Sequence, residues 1–232
     1  MSNELRIALV AEGPTDYVVI EAALKAILQK PFVMSQLQPE ATQPKMGTGW
    51  CGVLKWCNES QERQHGASPL QINPILFGFD LVIIHVDIDV ATQEYADCGS
   101  LVENWANENF WKNLPCKQPC PPVSDTGNAL EDVIKSWLGG IKPNHTVFCL
   151  PAQSSGTWLA SAVLPPSDLL LINAECNLTL ESRLEQLPKN QRIKKKLTEY
   201  RNHAPRITQQ WQQVKQLCSQ AANFEQSVLN AI

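Results

Sequence analysis

The chain has 232 residues, of which 44% are hydrophobic and 18% charged, and its formal net charge is -4. That length fits one elaborated domain or a domain and a half, and the apolar share suffices for a globular core, which excludes a disordered chain. The acidic balance argues against a free-standing basic nucleic-acid binder, and the longest apolar runs are far too short to span a bilayer.

Met1 to Glu4 are polar and lead straight into a strand, without the charged and apolar regions of a signal peptide. Leu5 to Ala11 is a short apolar run of strand length. Gly13-Pro14 breaks it, and Pro14 suits the first turn of a helix because its missing N–H is unpaired there anyway. Val18, Val19, Ala22, Ala23, Ala26 and Ile27 recur at helical spacing, so a helix is expected over 14–29. Phe32 to Leu37 reads as a second strand, 39–49 as a Pro/Gly/Thr loop, Trp50 to Cys57 as a helix and 62–73 as a loop.

Leu81 to Val86 is a continuous apolar run, the pattern of a central strand buried on both faces, and it ends in Asp87-Ile88-Asp89. A helix is expected around Leu101 and Trp105, reaching Phe110-Trp111, followed by a proline-rich loop over 115–127. Asn128 is placed to cap the next helix, with Glu131 completing a capping box and Gly139-Gly140 ending it. Thr146 to Leu150 is the next strand, Trp158 to Leu164 a short helix, and the chain from about Leu178 reads as all-helical. Alternating strands and helices imply an α/β fold: a Rossmann-like, mostly parallel sheet flanked by helices, with a C-terminal helical appendage. The division expected is residues 1–170 for the catalytic domain and 171–232 for a basic helical region.

Charge is unevenly distributed. Residues 1–182 carry 10 Lys+Arg against 20 Asp+Glu, whereas residues 183–232 carry 9 against 3. Such asymmetry says more than the sum. Lys194, Lys195, Lys196 and Arg201, with Lys189, Arg192 and Arg206 around them, are the expected contacts to nucleic-acid phosphates. For any single lysine, a solvated helix face is the plainer reading.

The eight cysteines are expected to be reduced thiols of a cytosolic protein. The C-x5-C of Cys51/Cys57 and the C-x3-C of Cys116/Cys120 do not form a paired C-x2-C zinc signature, so ordinary thiols are favoured over zinc.

Chemistry concentrates at two strand ends. Glu12 follows the first strand, and Asp87 and Asp89 follow the third, where α/β sheets gather functional groups. Converging carboxylates repel one another unless a cation joins them, and hard oxygen donors suit Mg²⁺ or Mn²⁺. Asp16, one turn into the first helix, is a further candidate ligand, and the helix start favours a phosphate oxygen nearby. Acidic residues after strands are also common turn and cap residues, so it is the pairing of the two motifs that points to metal. His85 shares a strand face with Asp87, and burial statistics make it a core residue rather than a ligand.

The stretch Ile7-Ala-Leu-Val-Ala-Glu12-Gly-Pro-Thr-Asp16, with His85-Val-Asp87-Ile-Asp89 downstream, resembles the Toprim domain over roughly residues 5–165. The E-G-x-T-D form looks most like the OLD-related and small phage-defence branch. The resemblance implies catalytic roles for Glu12, Asp87 and Asp89, with Glu12 as base or ligand, and metal ligation by Glu12, Asp16, Asp87 and Asp89. It implies a Mg²⁺- or Mn²⁺-dependent nuclease of DNA in a defence or DNA-maintenance system, working either with a separate ATPase partner or alone, because no G-x-x-x-x-G-K-[ST] occurs. Neither G-x-S-x-G nor H-E-x-x-H is present, and the tyrosine region of a topoisomerase is also lacking. An RNA-processing nuclease and a non-catalytic metal- or nucleic-acid-binding subunit are the alternatives, and a homodimer is compatible with each. One departure stands out: relatives carry a glutamate after the next strand, whereas Pro151 to Trp158 contains no acid. Ser154 or Ser155 would have to place a water or phosphate there.

Overall fold

A computed structural model describes residues 4–40, 45–62, 78–189 and 191–232. The sheet has four strands among these residues: β1 (Leu5–Val10), β2 (Phe32–Gln38), β3 (Leu81–His85) and β4 (Thr146–Cys149). Their order is β2-β1-β3-β4 and every pairing is parallel. The α/β class and the parallel sheet are therefore as the strand–helix alternation implied. The loop expected over 62–73 lies almost wholly outside the described residues.

Helices α1 (Pro14–Ile27), α2 (Gly49–Glu62), α3 (Ser100–Glu108) and α4 (Val123–Trp137) occupy the connections, and α5 (Gly156–Val163), α6 (Leu180–Gln186), α7 (Leu197–Gln209), α8 (Trp211–Leu217) and α9 (Ser219–Ala231) follow β4. Period-two alternation divides the strand side chains between two cores. Ile7, Leu9, Leu81, Ile83 and Val147 face α1, α5 and the C-terminal helices. Ala8, Val10, Val82, Ile84 and Phe148 face α2, α3 and α4. Both sides of β3 are buried, which is why its sequence is an unbroken apolar run.

The C-terminal helices are built into the first core. Trp158 of α5 packs edge-on against Trp211 of α8, with ring centroids 5.5 Å apart, and against Phe224 of α9 at 5.6 Å. The Thr208 hydroxyl of α7 donates to the Ala22 carbonyl of α1 across 2.7 Å.

Two helices depart from their expected limits. α4 starts at Val123, not at Asn128, because Thr126 is buried and ties the preceding loop through the Gln118 N–H, so the chain is already helical there. α3 stops at Glu108. Phe110 then takes a φ of 52° and is 90% exposed, while Trp111 turns back to bury itself beside Tyr95.

The cysteines correct the expectation of reduced thiols. Cys51 is bonded to Cys98, and Cys120 to Cys176, while Cys57, Cys116, Cys149 and Cys218 are free. The partners lie 47 and 56 residues apart in sequence, so only the folded chain brings them together. Disulfides form and persist in oxidising surroundings, so a cytosolic location can no longer be argued from reduced thiols. Unfolded without reductant, the protein should titrate four thiols per chain with a chromogenic disulfide reagent, and eight after reduction; eight without reductant would mean neither bond forms.

Candidate metal centre

The register of β1 against β3 pairs Val10 with Ile84, which brings Glu12 level with Val86 and Asp87 just beyond the strand ends. The backbone there is fixed on both sides. Ala11 N–H donates to the Gln38 carbonyl at 2.9 Å, and the Glu12 carbonyl accepts from Gly49 N–H at 2.8 Å. On the other strand, Val86 N–H donates to Cys149 and Ile88 N–H to Pro151. Between them, the Asp87 N–H donates to Glu12 Oε1 at 2.8 Å. One ligand atom each from Glu12, His85 and Asp87 lies within 4.8 Å of the other two.

Each acid predicted from sequence has a definite place. Glu12 and Asp87 converge. Asp16 is buried on the opposite side of His85, with Oδ2 4.0 Å from Nδ1. Its Oδ1 accepts from the Ser155 hydroxyl at 2.7 Å. Asp89 begins the short 3-10 turn after β3 and lies outside the three-residue group, though within electrostatic reach of Asp87. Ser155 holds the cluster together, for its N–H also donates to Asp87 Oδ1 at 3.0 Å. The serine thus fixes two carboxylates and has no hydrogen left for a phosphate.

His85 was expected to be a satisfied core residue. It is fully buried, but neither ring nitrogen makes a hydrogen bond. Nε2 approaches Asp87 Oδ1 to 3.1 Å, too far out of line to count as one. Without a cation the ring is charge-paired with Asp87 and Asp16; once deprotonated, it completes a donor set of one imidazole and two carboxylates that suits a divalent cation.

Enclosing so much charge shifts its titration. Burial first, and then repulsion from Asp87, raises the Glu12 carboxyl to about 8. Burial alone would lower His85, but the charges of Asp16, Asp87 and Glu12 outweigh it and hold the ring at about 9. Burial also pushes Asp87 upward, with His85 opposing. Asp89 is exposed at the rim, and partial burial with the charge of Asp87 lifts it to about 7, an effect that solvent screens more than for its buried neighbours.

Sequence reasoning missed Glu181. It comes from α6 and lies against Gly156, where a Cβ would approach its Oε1 to 2.6 Å, so a side chain at 156 would displace the Glu181 carboxylate. Glu181 Oε2 pairs with Lys195 Nζ at 3.0 Å, and Oε1 accepts from the Tyr200 hydroxyl. An acid therefore does stand beside the acid-free segment 151–158, contributed from another part of the chain and engaged with a lysine. No local pattern in α6 signals this.

Of the basic residues predicted to meet phosphate, Lys195 is the one directed at the cluster. Its backbone N–H is held by Glu185 at 2.9 Å. Burial would lower its ammonium, but Glu181, Asp87 and Asp16 together raise it. Lys194 and Lys196 flank it, exposed on the same loop, whereas the charge of Arg201 is felt at Tyr17 of α1.

No protein-family model, curated protein or solved structure matches this chain.

The shifts predict an unusual pH dependence for the cation-free protein. Glu12 binds its proton more tightly folded (about 8) than unfolded (4.5), as does His85 (about 9 against 6.5). Their contribution to stability is complete below the unfolded values and declines as pH rises through the folded ones. In chelator, the melting temperature should fall between about pH 5 and pH 9, and a saturating divalent cation should remove most of that slope. A flat profile in chelator would contradict the arrangement.

Proposed function

We propose that the protein is a divalent-cation-dependent phosphodiesterase acting on nucleic acid, DNA in preference to RNA. The observation that carries this is the hydrogen bond from Asp87 N–H to Glu12, which joins two strand-end acids into one site with His85. It joins the same two motifs that resemble the Toprim domain, and that resemblance supplies the nuclease reading. A cation held by Glu12 and Asp87, with Mg²⁺ or Mn²⁺ the expected species, would polarise a phosphodiester oxygen.

The chain's own residues divide the remaining work. Without a cation Glu12 keeps its proton near neutrality; on binding the cation it would release that proton and serve as a ligand. Asp89, titrating at about 7 at the rim, is suited to exchange a proton with water. Lys195, fixed by Glu181, sets a positive charge where a phosphate would carry its negative charge, and a held charge needs no rearrangement as reaction proceeds. Lys194 and Lys196 extend the positive surface for backbone phosphates. Asp16 and Ser155 keep His85 and Asp87 in place. A separate ATPase subunit would supply any nucleotide-driven step, since the sequence has no P-loop.

Cleavage of plasmid DNA and of folded RNA with Mn²⁺, compared between the wild type and Asp87→Asn, tests the assignment. The variant should keep the circular dichroism spectrum and lose more than about a hundredfold in rate, as removal of a ligand or its support does. Equal cutting by both proteins would rule out this site, and cutting of RNA alone would move the substrate to RNA. Lys194→Ala with Lys196→Ala should weaken DNA binding regardless of sequence. The slope of log affinity against log salt should become shallower by about one for each phosphate no longer neutralised, as followed by fluorescence anisotropy.

A further inference from the structure

The imidazole of His85 gives the cluster a donor that Mg²⁺ has little use for. We infer that His85 is a direct ligand and that the site selects a first-row transition cation over Mg²⁺. The inference rests on the reading of Glu12, His85 and Asp87 as a cation site, and it concerns which cation.

Three observations support it. First, His85 is fully buried on the last residue of β3, and both its nitrogens lack a hydrogen-bond partner. Buried polar atoms are nearly always hydrogen-bonded, whereas here Nε2 and Nδ1 only face the Asp87 and Asp16 carboxylates without an aligned bond, and a cation taking Nε2 would displace the ring's proton. Second, Nε2 and Asp87 Oδ1 are 3.1 Å apart but out of line for a hydrogen bond. Metal–donor bonds of about 2.1 Å place adjacent octahedral donors about 3.0 Å apart. The pair thus has the spacing of two neighbouring ligands. The three donors lie within 4.8 Å of one another, so the side chains would have to close on the cation when it binds. Third, the far side of the ring faces Asp16, with Nδ1 4.0 Å from Oδ2, and Asp16 is itself held by Ser155. A carboxylate that accepts the second ring N–H of a ligating histidine orients the ring toward the metal, and Asp16 would have to close from 4.0 Å to do so. Asp16 is then a positioning residue, not a ligand.

The donor set decides the preference. Mg²⁺ keeps most of its water and takes oxygen ligands, whereas nitrogen donors favour the later divalent ions, with affinity rising from Mn²⁺ toward Co²⁺ and Zn²⁺.

The experiment is calorimetric titration of the full chain with Mg²⁺, Mn²⁺ and Co²⁺, together with electron spin-echo measurement on the Mn²⁺-loaded wild type. Mn²⁺ should bind at least tenfold more tightly than Mg²⁺, Co²⁺ more tightly again, and the spin echo should show modulation from one directly bound ¹⁴N. His85→Gln should bring the Mn²⁺ and Mg²⁺ affinities within about threefold of each other. The spectroscopic arm uses unaltered protein, so it decides the matter even if that variant does not fold. Absence of nitrogen modulation, or Mg²⁺ binding as tightly as Mn²⁺, overturns the inference, and leaves the phosphodiesterase proposal standing if Mg²⁺ supports cleavage. Nitrogen-coupled Mn²⁺ without cleavage of DNA or RNA does the reverse. Failure to bind any of the three ions removes both.

Discussion

A carboxylate of Glu12 accepts the Asp87 N–H at 2.8 Å, across the gap between the ends of two neighbouring parallel strands, and the architecture of the site depends on that contact. It requires β1 and β3 to be adjacent and in register, which the pairing of Val10 with Ile84 provides. It also requires both strands to leave the sheet in the same direction for two residues, and the bonds from Gly49 N–H to Glu12 and from Val86 and Ile88 N–H to the Cys149 and Pro151 carbonyls hold them to it. Once Glu12 is committed to Asp87, His85 is enclosed beneath them and Asp16 closes the far side.

Such an assembly is destabilising in isolation. Three carboxyls share a small volume and their charges repel one another through a low local dielectric, a repulsion that the imidazole of His85 partly offsets. The protein limits the penalty by proton retention: Glu12 near 8 and His85 near 9 leave the cluster closer to neutrality at pH 7 than its composition suggests. The Ser155 N–H and hydroxyl satisfy an oxygen of Asp87 and one of Asp16. A cation would perform the same neutralisation more completely. Strongly perturbed titration together with an unsatisfied ring nitrogen is the physical signature that distinguishes this group from acidic turn residues.

The C-terminal helices contribute to both stability and charge. Trp158, Trp211 and Phe224 make them part of the first core. Because α6 and α7 are thereby anchored, Glu181 can stand against Gly156 and Tyr200 and hold Lys195 toward the acids. Of the three consecutive lysines 194–196, Lys195 is ion-paired by its side chain, with Glu181, while Lys194 and Lys196 are exposed.

By itself the sequence determined the strands and their burial, since the apolar run of Leu81–His85 permits little else, and it determined that Glu12 and Asp87 occupy equivalent strand ends. Local pattern reaches that far because strand and helix periodicity are properties of neighbouring residues. The start of α4 was misplaced because Thr126 is held by a loop contact that no capping pattern encodes. His85 was read as ordinary core because burial can be read from pattern but hydrogen-bond satisfaction cannot. Glu181 was invisible because it reaches Gly156 only through the path of the chain, and the cysteines were misjudged because partners 47 and 56 residues apart meet only after folding. Tertiary structure decided those four matters for one reason: each depends on which distant groups share a space, and sequence order fixes that only through the completed fold.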